Sequence, residues 1–119
     1  MFPNIQELNI YIICGKTDLR KGIDGLAASL RELYGENEVP YDHSLFLFCG
    51  SQRDRFKALY WDRSGFVLYY KRFENGHLQW PRNRSDVQRL SHYQLKRLIT
   101  GLSIIERRTI HDRRVGYTN

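Results

Sequence analysis

The apolar positions of this chain change period along its length, and each change predicts an element. Residues 9–14, "NIYIIC", are a short β-branched run ending at Gly15, which predicts a strand. In residues 16–35, "KTDLRKGIDGLAASLRELYG", Leu19, Ile23, Leu26, Leu30 and Leu33 recur at intervals of three and four. That spacing predicts an amphipathic helix with Thr17 or Asp18 as N-cap and Gly35 as its stop. Its polar face carries Arg20, Asp24 and Arg31, the first two spaced as an i, i+4 ion pair. Gly22 and Gly25 fall inside this expected helix, where each costs about 1 kcal/mol relative to Ala. With Ser29 they form a small-residue stripe, which predicts a close approach by the sheet beneath, a nucleic-acid backbone or a partner helix.

After a polar loop, residues 44–50, "SLFLFCG", are apolar almost throughout, the pattern of a strand covered on both faces. "SQRDR" then makes a charged turn into "FKALYWD", and "DRSG" makes a second turn into "FVLYYKRF". Asn75-Gly76 lies between two β-rich runs and predicts a further hairpin, with "LQW" closing a meander before Pro81. Residues 81–90, "PRNRSDVQRL", read as a basic, polar connector. Ser91 is the expected N-cap of a second helix, "HYQLKRLITGLSII", with Leu95, Leu98, Ile99 and Leu102 on one face. The sum is an α+β fold: a mainly antiparallel sheet of four or five strands, a meander packed with two helices, the first on one face and the second near it. The N-terminal strand fits either edge of the meander. Residues 1–105 form the expected single domain, and residues 106–119 a basic tail.

Strand parity sorts the rings of "KALYWDRSGFVLYYKR", which holds five aromatic and four basic residues. From Phe66, one face carries Phe66, Leu68, Tyr70 and Arg72, and the other Val67, Tyr69, Lys71 and Phe73. Each face is apolar first and basic later, so the strand starts in the core and ends at a basic rim. On the preceding strand, Lys57, Leu59 and Trp61 alternate with Phe56, Ala58 and Tyr60. At most one of those sets is expected to face the helices, leaving the other for a second apolar layer, a dimer interface or a platform on which bases stack.

Charge narrows the partners. The chain has 119 residues, 19 Lys and Arg against 13 Asp and Glu, and a formal charge of +6. That excess favours a polyanion, nucleic acid first. The tail carries four Arg and two acids, so most of the excess lies on the folded body. No apolar run approaches the ~18 residues of a membrane span, and the N-terminus lacks signal-peptide order, so a cytoplasmic protein is expected. Cys14 and Cys49 are expected to be reduced core residues. The acids are scattered, most beside an Arg or Lys, and His43, His77, His92 and His111 show no ligand spacing. No catalytic residue, metal site or cofactor is expected. "GSQRDRFK" places Arg53, Arg55 and Lys57 around one turn, where cations converge on a phosphate backbone.

The stretches "GKTDLRKGIDGLAA", "LFLFCGSQRDRFKALYWDRSGFVLYYKRFENGHLQWP" and "QLKRLITGL" together resemble the TnpB accessory proteins of the insertion-sequence family numbered sixty-six, the products of its second open reading frame. The likeness runs in order from about Tyr11 to Leu102. It implies a short bacterial protein encoded beside a larger transposase, needed for transposition while not itself cutting DNA. DNA and that transposase are the implied partners, with self-association a further option. The matched motifs carry Arg20, Lys21, Arg53, Arg55, Lys57, Lys71 and Arg72 as candidates to contact phosphate or an acidic partner. Asp18, Gly22, Gly25, Trp61, Asp62 and Trp80 are carried over as structural positions. The tail after Leu102 departs from the family pattern.

Overall fold

The computed structural model describes residues 5–13, 15, 17–75, 78 and 87–99. Among them, a 3-10 turn (Ile5–Glu7) precedes strand β1 (Asn9–Ile13), helix α1 (Ile23–Tyr34) and strand β2 (Ser44–Cys49). Strands β3 (Arg55–Trp61), β4 (Phe66–Arg72) and β5 (Val87–Leu90) follow, then helix α2 (His92–Ile99). The strands form one sheet in the order β4-β3-β2-β1-β5. β1 and β2 are parallel, and the other neighbours are antiparallel. The fold is α+β, as the pattern predicts, with a β2-β3-β4 meander at its heart.

β2 lies at the centre and is buried at all six of its positions. An apolar strand of this kind needs cover on both faces. On one face Phe46, Phe48 and Leu59 pack with Leu26, Ala27 and Leu30 of α1. On the other, Leu45, Leu47, Cys49, Phe56 and Ala58 pack with Leu78 and with Leu95 and Leu98 of α2. The helices therefore take opposite faces, and each alternating set of β3 meets one of them. This corrects the expectation that only one set faces a helix: the parity holds, and the second layer it leaves open is supplied by α2 and Leu78.

β1 pairs at the β2 edge of the meander, one of the two edges open to it, and β5 adds beyond it, so that β1 lies between β2 and β5. A strand, a helix and a strand that then pair side by side must run parallel, because the helix carries the chain back to the starting end. β5 occupies part of the expected connector. Gln88 and Arg89 partner Ile12 and Tyr11 in register, so this edge strand needs little apolar content of its own. The hairpin at Asn75-Gly76 and the run "LQW" lie largely outside the described residues, but the Leu78 amide donates to the carbonyl of Arg53, 2.6 Å away. Leu78 is thus tied to the β2–β3 turn and packs in the cluster on the α2 face. Cys14, His77, Trp80 and the tail also lie outside the described residues.

α1 starts later than the periodicity predicts, with Gly22 as N-cap and no side-chain cap bond. Residues 17–21 instead form a turn docked on the end of β2, with the Thr17 amide donating to the Cys49 carbonyl at 2.8 Å. The Asp18 carboxylate accepts the Arg20 amide at 3.0 Å, a local bond that competes with helix formation. Gly35 ends α1 as expected, at φ 111°, a left-handed conformation that glycine tolerates. At α2, Ser91 Oγ accepts the Gln94 amide at 3.1 Å while Gln94 Oε1 accepts the Ser91 amide at 2.9 Å, a reciprocal capping box.

Phe46 anchors the α1 face: the Tyr11 ring stacks on it at 5.4 Å, and Tyr34 and Tyr41 meet it edge-on at 6.2 and 6.1 Å. Phe46→Ala is expected to lower the unfolding free energy by about 3–5 kcal/mol in urea melts followed by circular dichroism. A loss no larger than that of the exposed Leu33→Ala would contradict this packing account.

Candidate basic groove

On the α1 face, the start of β3 and the end of β4 carry the candidate residues, and their register decides which side chains meet. Lys57 lies opposite Tyr70 and Arg55 opposite Arg72. The docked turn at residues 17–20 forms one wall, and residues 50–52 of the β2–β3 turn form another. Together with Leu68 they enclose a groove of about 640 Å³ lined by Arg20, Arg55, Lys57 and Tyr70 among others. Gly50 is where the two walls meet. A Cβ there would lie 3.1 Å from Leu19 Cγ and 3.1 Å from the Thr17 carbonyl oxygen.

Lys21 joins the same edge. Its stem lies across Gly25, where an added Cβ would come within 3.0 Å of Lys21 Cβ, and its ammonium donates to Ser29 Oγ at 3.0 Å. The small-residue stripe of α1 is therefore a bed for this lysine, rather than a contact with the sheet. At Gly22 an added Cβ would meet nothing within 4 Å, and the backbone φ is not left-handed, so neither space nor conformation demands glycine there. The Lys57 ammonium donates to the Lys21 carbonyl at 3.1 Å, tying β3 to the turn before α1.

The cations of the groove differ in how far they are neutralised. Arg20 pairs with Asp18, at 2.9 Å from Nε and 2.8 Å from Nη2, in place of the expected pair with Asp24. Those bonds hold the Asp18 carboxyl well below the usual carboxylate range and push Arg20 up. Arg55 pairs with Asp54 at 2.8 Å, which lowers Asp54 and raises Arg55, Tyr70 adding to the latter. Arg72 has Glu74 at 3.8 Å, a loose, exposed contact. Lys21 and Lys57 each spend one donor of three on a neutral oxygen, so their charge is uncompensated by those bonds.

Of the seven candidate cations, Arg20, Lys21, Arg55, Lys57 and Arg72 thus gather on one side of the sheet. Lys71 lies on the opposite face, with its ammonium 4.9 Å from the centre of the Phe73 ring. Arg53 is exposed on the β2–β3 turn. Trp61 and Asp62 belong to the other end of the hairpin. Trp61 packs on Phe66 with ring centres 4.9 Å apart. Asp62 Oδ1 accepts the Ser64 amide, the Ser64 hydroxyl and the Gly65 amide at 2.8–2.9 Å, and these bonds lower its pKa. Strand parity puts Tyr70 on the correct face without singling it out, because parity does not show that its ring stays exposed. Gly50 looks in the sequence like no more than the end of a strand.

Among the described residues, no group of three or more His, Cys, Asp and Glu is placed to hold a metal ion. None of their helices is long and apolar enough to cross a membrane.

The fold and this groove bring the comparison with known proteins into focus. The family model described as IS66 Orf2 like protein matches residues 8–109, and the chain belongs to that family, whose role is accessory to transposition. Two relatives come from Sinorhizobium fredii (strain NBRC 101917 / NGR234). The uncharacterized protein y4hO is 32% identical over 86% of this chain and 87% of its own length. The uncharacterized protein y4jC is 30% identical over 80% of each chain. No solved structure matches.

Two outcomes test the groove's construction. Gly50→Ala is expected to displace the docked turn and cost about 1–3 kcal/mol in urea melts. Asp18→Asn is expected to be less stable than the native chain at neutral pH. Because folding depresses the Asp18 pKa, its contribution is complete above the unfolded value near ~3.9 and fades as pH falls from there toward the folded value. The two proteins' melts should therefore converge in acid, and a gap independent of pH would contradict the Asp18–Arg20 account.

Proposed function

We propose that this protein is a non-catalytic accessory factor of transposition that binds DNA through the basic groove and helps assemble the transposase on the ends of the insertion sequence. One observation carries the reading: the β3–β4 register sets two arginines, Arg55 and Arg72, directly opposite each other on the two strands. Like charges facing across a strand pair are destabilising. Three further cations, Arg20, Lys21 and Lys57, stand on the same side. Asp54 and Glu74 offset part of the charge of the two arginines, and the cations that stand with them on one side form a surface suited to a polyanion, whose phosphates they neutralise. The family membership supplies the transposition context.

A second reading has its own observation. β4 is the end strand of the sheet, and among the described residues no strand pairs with its outer edge. That edge of seven residues, unpaired among the described residues, is a template for a strand from the transposase or from a second copy. Light scattering and co-purification with the transposase test that reading directly.

The test of the leading reading uses the full chain and a labelled duplex that carries the element's terminal repeat and a short single-stranded extension. A scrambled duplex of the same form is the control, and both are titrated over a salt series. Affinity is expected to fall steeply with salt. The double substitution Lys21→Ala, Lys57→Ala is expected to weaken binding and reduce the slope by about 0.7–0.9 for each phosphate no longer neutralised. Affinity and slope unchanged by that variant would remove the groove from the site.

A further inference from the structure

Within the groove, Tyr70 sets an exposed aromatic ring among cations. Tyr70 presents 53% of its surface to solvent. Leu33 and Tyr93, the other large apolar residues comparably exposed among those described, lie on α1 and α2 and do not line this groove. Its neighbours are cations rather than core: the Lys57 ammonium stands 5.8 Å from the ring centre, and Arg55 lines the same groove. Arg72 is two residues further along the strand and on the same face. A ring set among phosphate-binding side chains is the pairing by which single strands are held, charge tracking the backbone and the ring taking a base.

Duplex DNA makes poor use of this arrangement. In a duplex each base face is covered by its neighbours, and only the edges are open in the grooves. An aromatic ring therefore gains stacking energy only from a base that is unpaired or displaced. The recess that the ring lines is also of small-ligand size, about 640 Å³.

We infer that the groove receives an unpaired nucleic-acid strand, with one base stacked on Tyr70 and the adjoining phosphates held by Lys57 and, two residues along the same strand face, by Arg72. This deepens the proposed DNA-binding role and rests on it. The same chemistry is offered by single-stranded DNA and by single-stranded RNA.

Fluorescence anisotropy with the full chain tests it, using an oligothymidine strand, the same strand paired with oligoadenosine, and oligouridine. The single strand is expected to bind more tightly than the duplex. Tyr70→Leu is expected to weaken single-strand binding by about 5- to 150-fold while leaving the salt slope unchanged, and Tyr70→Phe should restore it. Lys57→Ala should instead lower the single-strand slope by about 0.7. Because Tyr70 is exposed, the Leu variant is expected to fold, which circular dichroism verifies. Oligouridine binding within a few-fold of oligothymidine would identify a general single-strand surface, whereas weak oligouridine binding would identify the DNA strand; both outcomes support the inference. Duplex binding as tight as single-strand binding, or a Tyr70→Leu variant within twofold of the native chain, would overturn it while leaving DNA binding intact. Absence of binding to every probe and to the terminal-repeat DNA would overturn the proposed DNA-binding role itself.

Discussion

The rest of this structure depends on the need to cover β2 on both sides. Its six positions are all buried, and in a strand successive side chains point to opposite faces. A sheet with one helix layer would leave half of them in water. α1 answers for Phe46 and Phe48, and α2 with Leu78 for Leu45, Leu47 and Cys49. Burying a side chain of this size is worth about 1.5–3 kcal/mol relative to leaving it exposed. The two layers are consequently as necessary as the sheet itself.

How much of this is legible in the sequence follows from which signals are local. The all-apolar run at residues 44–49, the Asp62 turn, the glycine stop at Gly35 and the cap at Ser91 are set by neighbouring residues, and each lies where its pattern places it. The start of α1 is misleading in the sequence because Leu19 keeps the helical spacing while Asp18 binds the amide and side chain of Arg20, closing a turn. β5 escapes a local reading because its ladder partners, Ile10 to Ile13, lie more than 70 residues away and provide the strand context that "VQRL" lacks. The parallel pairing of β1 with β2 is implicit in the strand–helix–strand order, but adjacency in the sheet is a tertiary fact that no local pattern contains.

The candidate site divides along the same line. Composition and motif mark Arg20, Lys21, Arg55, Lys57 and Arg72 as candidates, and only the register brings them to one side while sending Lys71 to the other. Nor does sequence grade their charges. Two of the arginines are held by nearby aspartates, so the strongest cations by residue type are not the ones with the most unspent charge. The two lysines are held by bonds to neutral oxygens, Lys57 in the groove and Lys21 on the stripe that looks like a place for something else to dock.

The placement of β1 has a consequence for how the chain is made. One of its ladders comes from residues 44–48 and the other from residues 87–90. During synthesis the first ladder is available once α1 and β2 have emerged, and the meander can add to it by local contacts. The second is not available until most of the chain has left the ribosome, so β1 spends that interval as an unprotected border of a nearly complete sheet. Closing this border is the task of the same segment that leads into α2, so sealing the sheet and roofing its second face are one event. A chain interrupted before residue 87 would lose both at once and present a raw strand beside an uncovered apolar layer, the combination from which aggregation starts.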